Sequence, residues 1–171
     1  QLKNLIVVSM GTGTSFVKVE DGKIQHIGGI GIGGGTIQGL SRLLLKTHDI
    51  HQVVEMAHKG IVENIDLQIK DICNAALPGL PLNATASTFG KADSNSSLED
   101  VAAGIIHMVL QSIGQSVILA ALNSSIKDFV LIGNLAKLPQ CKEVFPIMED
   151  MYQCHFLIPE YAQYRTALGA A

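Results

Sequence analysis

Cysteine is scarce in this chain of 171 residues: Cys73, Cys141 and Cys154 are far apart and odd in number. That spacing offers neither a disulfide framework nor a metal motif, and it fits a reducing cytoplasm. Each thiol reads as a small hydrophobe. Basic charge is thin as well. Twelve Lys and Arg against fifteen Asp and Glu leave a net charge of −3, with no Lys/Arg run, so a nucleic-acid backbone is excluded as a partner. The N-terminus has no signal-peptide pattern. No Gly-Lys-Ser/Thr follows a glycine cluster, which excludes a P-loop. No parallel βαβ unit with a suitably spaced acid surrounds one, which excludes a Rossmann fingerprint.

What is abundant is apolar surface and glycine. Hydrophobic residues make up 47% of the chain, at a mean hydropathy of +0.32, so part of the excess is expected to cover an interface with another chain or domain. The length suits one domain or the larger part of one. The chain starts at Gln1 and runs almost at once into a strand, which reads as a piece of a longer protein.

Leu2 to Met10 contains an apolar run of strand length and empties into Gly-Thr-Gly-Thr-Ser at 11–15. Ser15 to Glu20 alternates apolar and polar residues, Asp21-Gly22 is a hairpin turn, and Lys23 to Ile27 is the returning strand. Gly28 to Gln38, GGIGIGGGTIQ, follows as a loop that is too flexible for a strand. Thr36 to Lys46 has apolar residues at 37, 40, 43 and 44, a helical stripe. Asp49 caps a second helix, Ile50 to His58, closed by Gly60. Ile65 to Cys73 reads as a third helix with Asp66 in its first turn, and Ala76 to Gly90 as a loop able to cover a site.

Ser97 caps a long helix reaching Leu122, with Asp100 completing a shortened capping box. The run from Val101 to Leu122 is apolar enough to raise a membrane span. However, His107, Gln111 and Gln115 recur every four residues as a polar stripe that lipid would penalise, so a buried central helix is expected. Asp128 to Gly133 is a second apolar strand. Pro139 to Cys154 reads as a helix interrupted or offset at Pro146, His155 to Ile158 as a short strand, and Tyr161 to Ala171 as a helix containing Arg165. This order is that of one half of an actin-like ATPase domain, one candidate among α/β topologies.

Two glycine motifs suggest an anion. Gly11 and Gly13 let backbone approach a phosphate chain, and the Thr12 and Thr14 hydroxyls can hydrogen-bond its oxygens. A tight turn between strands is the plainer alternative. The run Gly33 to Gln38 ends on a helix N-terminus, where free N–H groups favour an anion. Its competitor is a packing device that admits a neighbouring backbone. Gly133-Asn134 alone reads as a strand-to-helix turn, and the 107/111/115 stripe as a hydrogen-bonded seam. Phosphoryl transfer also needs an acid as base and carboxylates for Mg²⁺. The acids near these motifs, Glu20 and Asp21, lie on the far hairpin turn, so no catalytic residue and no metal ligand is assigned within this chain.

Taken in order, GTGTS, GGIGIGGGTIQGL, VVEMAHKG at 53–60, ASTFGKA around Phe89, DFVLIGN and the closing YRTALGAA resemble the C-terminal part of type II pantothenate kinases. These belong to the acetate and sugar kinase/Hsp70/actin-like superfamily. The resemblance covers nearly the whole chain. It implies an α/β fold of the actin-like ATPase (ribonuclease H-like) kind: a mixed sheet with an opening antiparallel β-meander and flanking helices. It also implies ATP- and Mg²⁺-dependent phosphorylation of pantothenate, the first step of coenzyme A synthesis, in a cytoplasmic homodimer open to feedback by coenzyme A or its acyl esters.

By the same resemblance, Thr12 contacts ATP within Gly11, Thr12, Gly13 and Thr14. Gly34, Gly35, Thr36, Ile37 and Gln38 contact it too, and Gly133 with Asn134 lies at the nucleotide. Ile50 falls where a bacterial relative has a tyrosine against the nucleotide, and Phe89 lies in a matched pocket segment. His26 stands where the family has an arginine that contacts pantothenate. The first phosphate loop, of Asp-x-Gly-Gly-Thr type, and the catalytic glutamate precede the matched region. Residues 1–171 are therefore expected to be the C-terminal lobe, lacking the N-terminal lobe. The alternatives are a non-catalytic nucleotide or coenzyme A binding module, and an actin-like kinase or activator ATPase with another substrate.

Overall fold

A computed structural model describes residues 4–73, 75 and 78–164. Its strands begin where the sequence is most β-branched. β1 (Leu5–Met10) buries Ile6, Val8 and Met10 completely and leaves Leu5, Val7 and Ser9 half-buried, the period-two pattern of a strand with one face in the core. β2 (Thr14–Glu20) returns antiparallel to it, in register from Leu5 opposite Val19 to Met10 opposite Thr14. β3 (Lys23–Ile30) follows after Asp21-Gly22, both at positive φ (51° and 76°), as a two-residue hairpin turn requires.

The third strand is longer than its sequence suggests. Gly28 to Ile30, expected in a loop, pairs with Thr14 to Phe16. A β-bulge makes this possible: Phe16 faces Gly28 while Val17 faces His26, so Ile27 is the extra residue. The bulge residue Gly28 takes φ 137°, which glycine alone adopts cheaply.

The chain separates into two compact units, 1–36 with 109–171, and 37–108. In the first, the meander joins β6 (Asp128–Ile132) and β7 (His155–Leu157), both parallel to β1, in the order β3-β2-β1-β6-β7. The expected mixed sheet with an opening antiparallel meander is thus present. Its core gathers Ile6, Val8, Met10, Phe16, Phe129 and Leu131 from the strands. Val109, Leu110, Ile113 and Val117 join them from the second half of α4 (Leu98–Ala121). α5 (Cys141–Tyr152) adds Val144, Phe145 and Met148, and Phe145 stacks 4.7 Å from Phe156. α5 runs unbroken through Pro146, which lies on its exposed side, and ends at Gln153 in the left-handed region. Gly114 brings α4 so close to α5 that a Cβ there would lie 2.6 Å from Met148 Sδ.

The second unit departs further from the sequence pattern. α1 (Gly34–Leu40) widens into a π-type turn at Ser41–Leu45, closed by Lys46 at φ 56°. The extra residue per turn rotates the stripe: Ile37, Ser41 and Leu45 are buried, while Leu43 and Leu44 face solvent. α2 (Ile50–Lys59) is capped as expected, the Asp49 carboxylate accepting the His51 N–H at 2.9 Å. The helix expected over 65–73 shrinks to α3 (Ile69–Ile72), because Leu67–Gln68 form a strand, β4, that pairs with β5 (Thr85–Ser87) inside the expected loop. Asp66 is consequently not in a helical turn. Ser97 caps α4 through the Asp100 N–H, but Asp100 does not return the bond: its carboxylate accepts the Ile61 N–H and the Asn64 side-chain amide.

α4 is 24 residues long and its most apolar 18 residues have mean hydropathy 1.5, enough by length and composition to cross a membrane, yet 61% of that stretch is buried within the protein. The expected helix over 161–171 falls largely outside the described residues, as does Arg165. Tyr161 itself takes φ 58°, and Ala162–Tyr164 form one short 3₁₀ turn.

Candidate functional site

β1 and β6 run parallel, so both deliver their following loops to the same end of the sheet, where open α/β sheets bind ligands. β1 empties into Gly11–Gly13 and β6 into Gly133-Asn134. Gly133 has φ 96°, and a Cβ on it would lie 2.5 Å from the Met10 carbonyl oxygen, so only glycine lets the two strand ends meet this closely. Its N–H donates to the Ala162 carbonyl at 3.0 Å. Asn134 then opens a 3₁₀ turn with its side chain exposed.

The second glycine motif folds onto the first. The Gly34 N–H donates to the Gly11 carbonyl at 2.8 Å and the Gly35 N–H to the Thr12 carbonyl at 2.9 Å. The Thr36 hydroxyl caps the turn by accepting the Gly33 N–H at 3.1 Å. A Cβ on Gly33 would lie 2.6 Å from the Thr12 oxygen and 2.8 Å from that of Gly11. Much of the glycine density is therefore explained by one backbone packing against another, the packing alternative raised by the sequence. It also corrects the expectation that the start of α1 offers its first N–H groups to an anion: those of Gly34 and Gly35 already have acceptors.

What remains open is the outer side of the two loops. Thr12 is exposed, and among the described residues neither its hydroxyl nor the Thr12 and Gly13 amides has an acceptor or donor inside the chain. Gly31 is exposed with free space where a Cβ would stand. Thr14, by contrast, is buried and donates its hydroxyl to the Ile32 carbonyl at 2.8 Å. It ties one loop to the other and offers nothing outward. The two threonines of GTGTS therefore differ in kind.

The first unit thus brings together Gly11, Thr12, Gly13, Thr14, Gly34, Gly35, Thr36, Gly133 and Asn134. Ile37 and Gln38 fall at the start of the second unit, Ile37 wholly buried and Gln38 exposed on α1. His26 is exposed on the edge strand β3, opposite Val17 and before the bulge. Ile50, the first residue of α2, and Phe89 belong to the second unit and are both half-buried there.

Within that second unit lies a polar constellation that sequence reading only half found. Asp66 is fully buried. Its Oδ1 accepts the Phe89 N–H at 2.8 Å, and its Oδ2 lies 2.8 Å from His107 Nδ1. The stripe of polar residues was legible on the helix, but the partner lay 41 residues away in a segment read as helix. Gln115, in the first unit, accepts the Tyr152 hydroxyl at 2.8 Å, as a hydrogen-bonded seam would.

Other charges serve the frame. The Lys91 ammonium and the Gln68 N–H hold the Asp71 carboxyl below its ordinary range. The Ile61 N–H does the same for Asp100. Burial pushes the Cys141 thiol to about 12 and the Cys154 thiol to about 11, so both stay protonated as core groups.

Comparison with known proteins agrees with this geometry. The profile of the family described as Fumble matches residues 4–170. The chain is 41% identical over 116 residues to the 4'-phosphopantetheine phosphatase of Mus musculus, a match covering 64% of this chain and 14% of that protein. It is 30% identical over 167 residues to a type II pantothenate kinase of Bacillus cereus, covering 96% of this chain and 57% of the kinase. The chain therefore spans little more than half of the second relative and a small part of the first. Among solved structures, ligand-bound xylulose kinase from Lactobacillus acidophilus superposes with a TM-score of 0.60 at 12% identity, covering 98% of this chain and 39% of that one. That likeness establishes the fold, the actin-like kinase architecture expected from the sequence.

Proposed function

The chain belongs to the Fumble family, and from that premise we propose that the full-length protein transfers phosphate from ATP to pantothenate, forming 4'-phosphopantothenate. Residues 1–171 act as the C-terminal, nucleotide-binding lobe. The observation that supports this reading most is the junction of three loops at the carboxyl ends of β1 and β6, with Thr12 and the Thr12 and Gly13 amides open to a ligand. Backbone amides and a hydroxyl on a glycine loop suit the oxygens of a phosphate chain. Asn134, exposed on the neighbouring turn, supplies a further amide.

The residues present fit ATP better than they fit its metal. Among the described residues no three His, Cys, Asp or Glu side chains gather as a metal site. No residue here is therefore assigned to Mg²⁺, which would neutralise phosphate charge as the companion of ATP. The proton acceptor and the first phosphate loop belong to a preceding lobe in this reading. His26 takes the substrate-side position, where a neutral or charged imidazole would meet the pantothenate carboxylate less firmly than a guanidinium. A cytoplasmic homodimer with coenzyme A feedback completes the proposal.

The test is an assay of the full-length protein with radiolabelled ATP against pantothenate and a panel of sugars. Formation of 4'-phosphopantothenate is expected. Turnover on a sugar alone, or nucleotide binding with no transfer, would replace the reading. Thr12→Val is expected to raise the KM for ATP about tenfold, the loss of one hydrogen bond to a charged oxygen.

A further inference from the structure

A cavity of about 100 Å³ opens in the first unit, at the end of the sheet opposite the glycine junction. β6 enters the sheet beside this cavity at Asp128 and leaves it at Ile132, just before Gly133. Five strand residues span roughly 17 Å, so the cavity and the phosphate loops cannot share a small ligand. The cavity forms where three pieces of chain end or turn. α4 stops at Ala121, the connection to β6 turns through Ser124, and α5 stops at Tyr152 before Cys154 leads into β7. Ile118, Ala121, Ile126 and Phe129 supply buried apolar walls, and Leu122 stands exposed at the mouth.

Most polar groups on its lining are neutral and already engaged. The Ser124 hydroxyl donates to the Ala121 carbonyl at 2.9 Å and accepts the Ile126 N–H at 3.3 Å. The Tyr152 phenol donates to Gln115 at 2.8 Å. Burial pushes the Cys154 thiol up to about 11, so it carries no charge. The end of α4 is less complete. The Leu122 N–H turns to the Leu119 carbonyl at 3.3 Å, so the Ile118 carbonyl loses the i+4 donor that a continuing helix would supply. Lys127 is the one charged residue on the lining. It is exposed, and among the described residues no carboxylate pairs with it.

These features select the charge and size of a ligand. The Lys127 ammonium repels a cation, and the negative end of the α4 dipole disfavours an anion. Apolar walls penalise a charge of either sign. An apolar cavity of about 150 Å³ holds a benzene molecule, so this one suits four or five heavy atoms. We propose that the cavity is a second binding site, separate from the phosphate loops, for a small neutral molecule with an apolar body of about four carbons and one hydroxyl. The body lies between Ile126 and Phe129, and the hydroxyl donates to the Ile118 carbonyl. This site stands whether or not the chain binds a nucleotide.

The test is methyl NMR of the full-length protein, labelled at the isoleucine δ1 carbons and titrated with 1-butanol, butyrate and butylammonium. Butanol is expected to shift the Ile118 and Ile126 signals and to saturate with a Kd on the order of 5 mM. The signals of Ile24 and Ile32, on and beyond the edge strand, are expected to stay in place. Butyrate and butylammonium are expected to bind at least fivefold more weakly than the alcohol. Ala121→Val adds two methyl groups inside the walls and is expected to weaken butanol at least tenfold. Leu122→Trp, at an exposed position on the mouth, is expected to do the same and serves as the second variant should Ala121→Val fail to fold. Lys127→Gln removes the repulsion of a cation and is expected to improve butylammonium at least threefold while leaving butanol unchanged. Shifts that stay linear to about 100 mM, equal affinity for all three probes, or unaltered butanol binding in the folded variants would overturn the proposal.

Discussion

The two loop systems of this chain solve the same problem by opposite means. At the ends of β1 and β6, backbone is held in place by other backbone: Gly34 and Gly35 donate to Gly11 and Thr12, and glycine at 33 and 133 removes every side chain that would obstruct. At the Phe89 turn, backbone is held by side chains drawn from Asp66 and, behind it, from His107 on α4. The first device is local in sequence and visible as glycine. The second joins residues 23 and 41 positions apart and leaves no local mark. A backbone-built loop tolerates no added atoms at its packed glycines, Gly33 and Gly133, whereas a side-chain-built turn tolerates no lost ones.

That contrast can be broken by substitution. The largest effect is expected at Gly133→Ala. A methyl group there combines a left-handed φ with a clash against the Met10 carbonyl, and a loss of about 3 kcal/mol is expected in urea unfolding. Gly31→Ala, four residues after the bulge's extra residue Ile27, meets open space and should change stability by less than about 0.5 kcal/mol. A comparable loss at both would refute the packing account of the glycines. Asp66→Ala comes next, at about 2 kcal/mol, because it strands the Phe89 N–H and the His107 ring without an acceptor. If it proved neutral, the buried pair would be incidental.

The threonines sharpen the comparison within one loop. Thr14→Val removes a buried hydroxyl that ties the loops together and should cost about 1 kcal/mol of stability. Thr12→Val should cost almost none and act on ATP alone. The smallest effect concerns acid. Asp71 and Asp100 both hold their protons less tightly in the folded chain than their unfolded value of 3.8. The stability they lend is intact above that value and declines as pH falls through it to the lower folded-state values. Asp100→Asn should therefore flatten the loss of urea midpoint between pH 5 and pH 3, the direction of linkage, by a small amount suited to an exposed group.

How much of this could be read in advance follows from the same distinction. The strands LIVVSM and DFVLI declare themselves by β-branching and alternation, the turn Asp21-Gly22 by its chemistry, and the Asp49 cap by its place before an amphipathic run. GTGTS and the glycine cluster were legible as an anion site, with a tight turn and a packing device as the alternatives, because glycine density has few uses. What they left unsaid was which N–H groups point outward, since Gly34 and Gly35 could be seen as donors but their acceptors could not. The segment 65–73 misled because its apolar spacing also suits a helix. Pairing with Thr85–Ser87, which helical periodicity cannot register, makes a strand of Leu67-Gln68. Leu43 and Leu44 misled for a local reason, a wider turn that shifts the buried side by one residue.

β1 pairs with β6, whose first residue lies more than a hundred positions later, and residues 37–108 form a unit of their own in between. On the ribosome the meander emerges before the inserted unit but cannot complete its sheet, and that unit is synthesised whole before β6 exists. Closing so long a loop is slow, and the ordering of the insert shortens it by bringing its ends under control. The insert is thus expected to acquire protection from proteolysis earlier than the strands that flank it. The arrival of β6 beside β1 would then follow the ordering of the insert, and it is also the event that creates the junction of the three loops. A nascent chain halted before Asp128 would hold a finished insert and no ligand site.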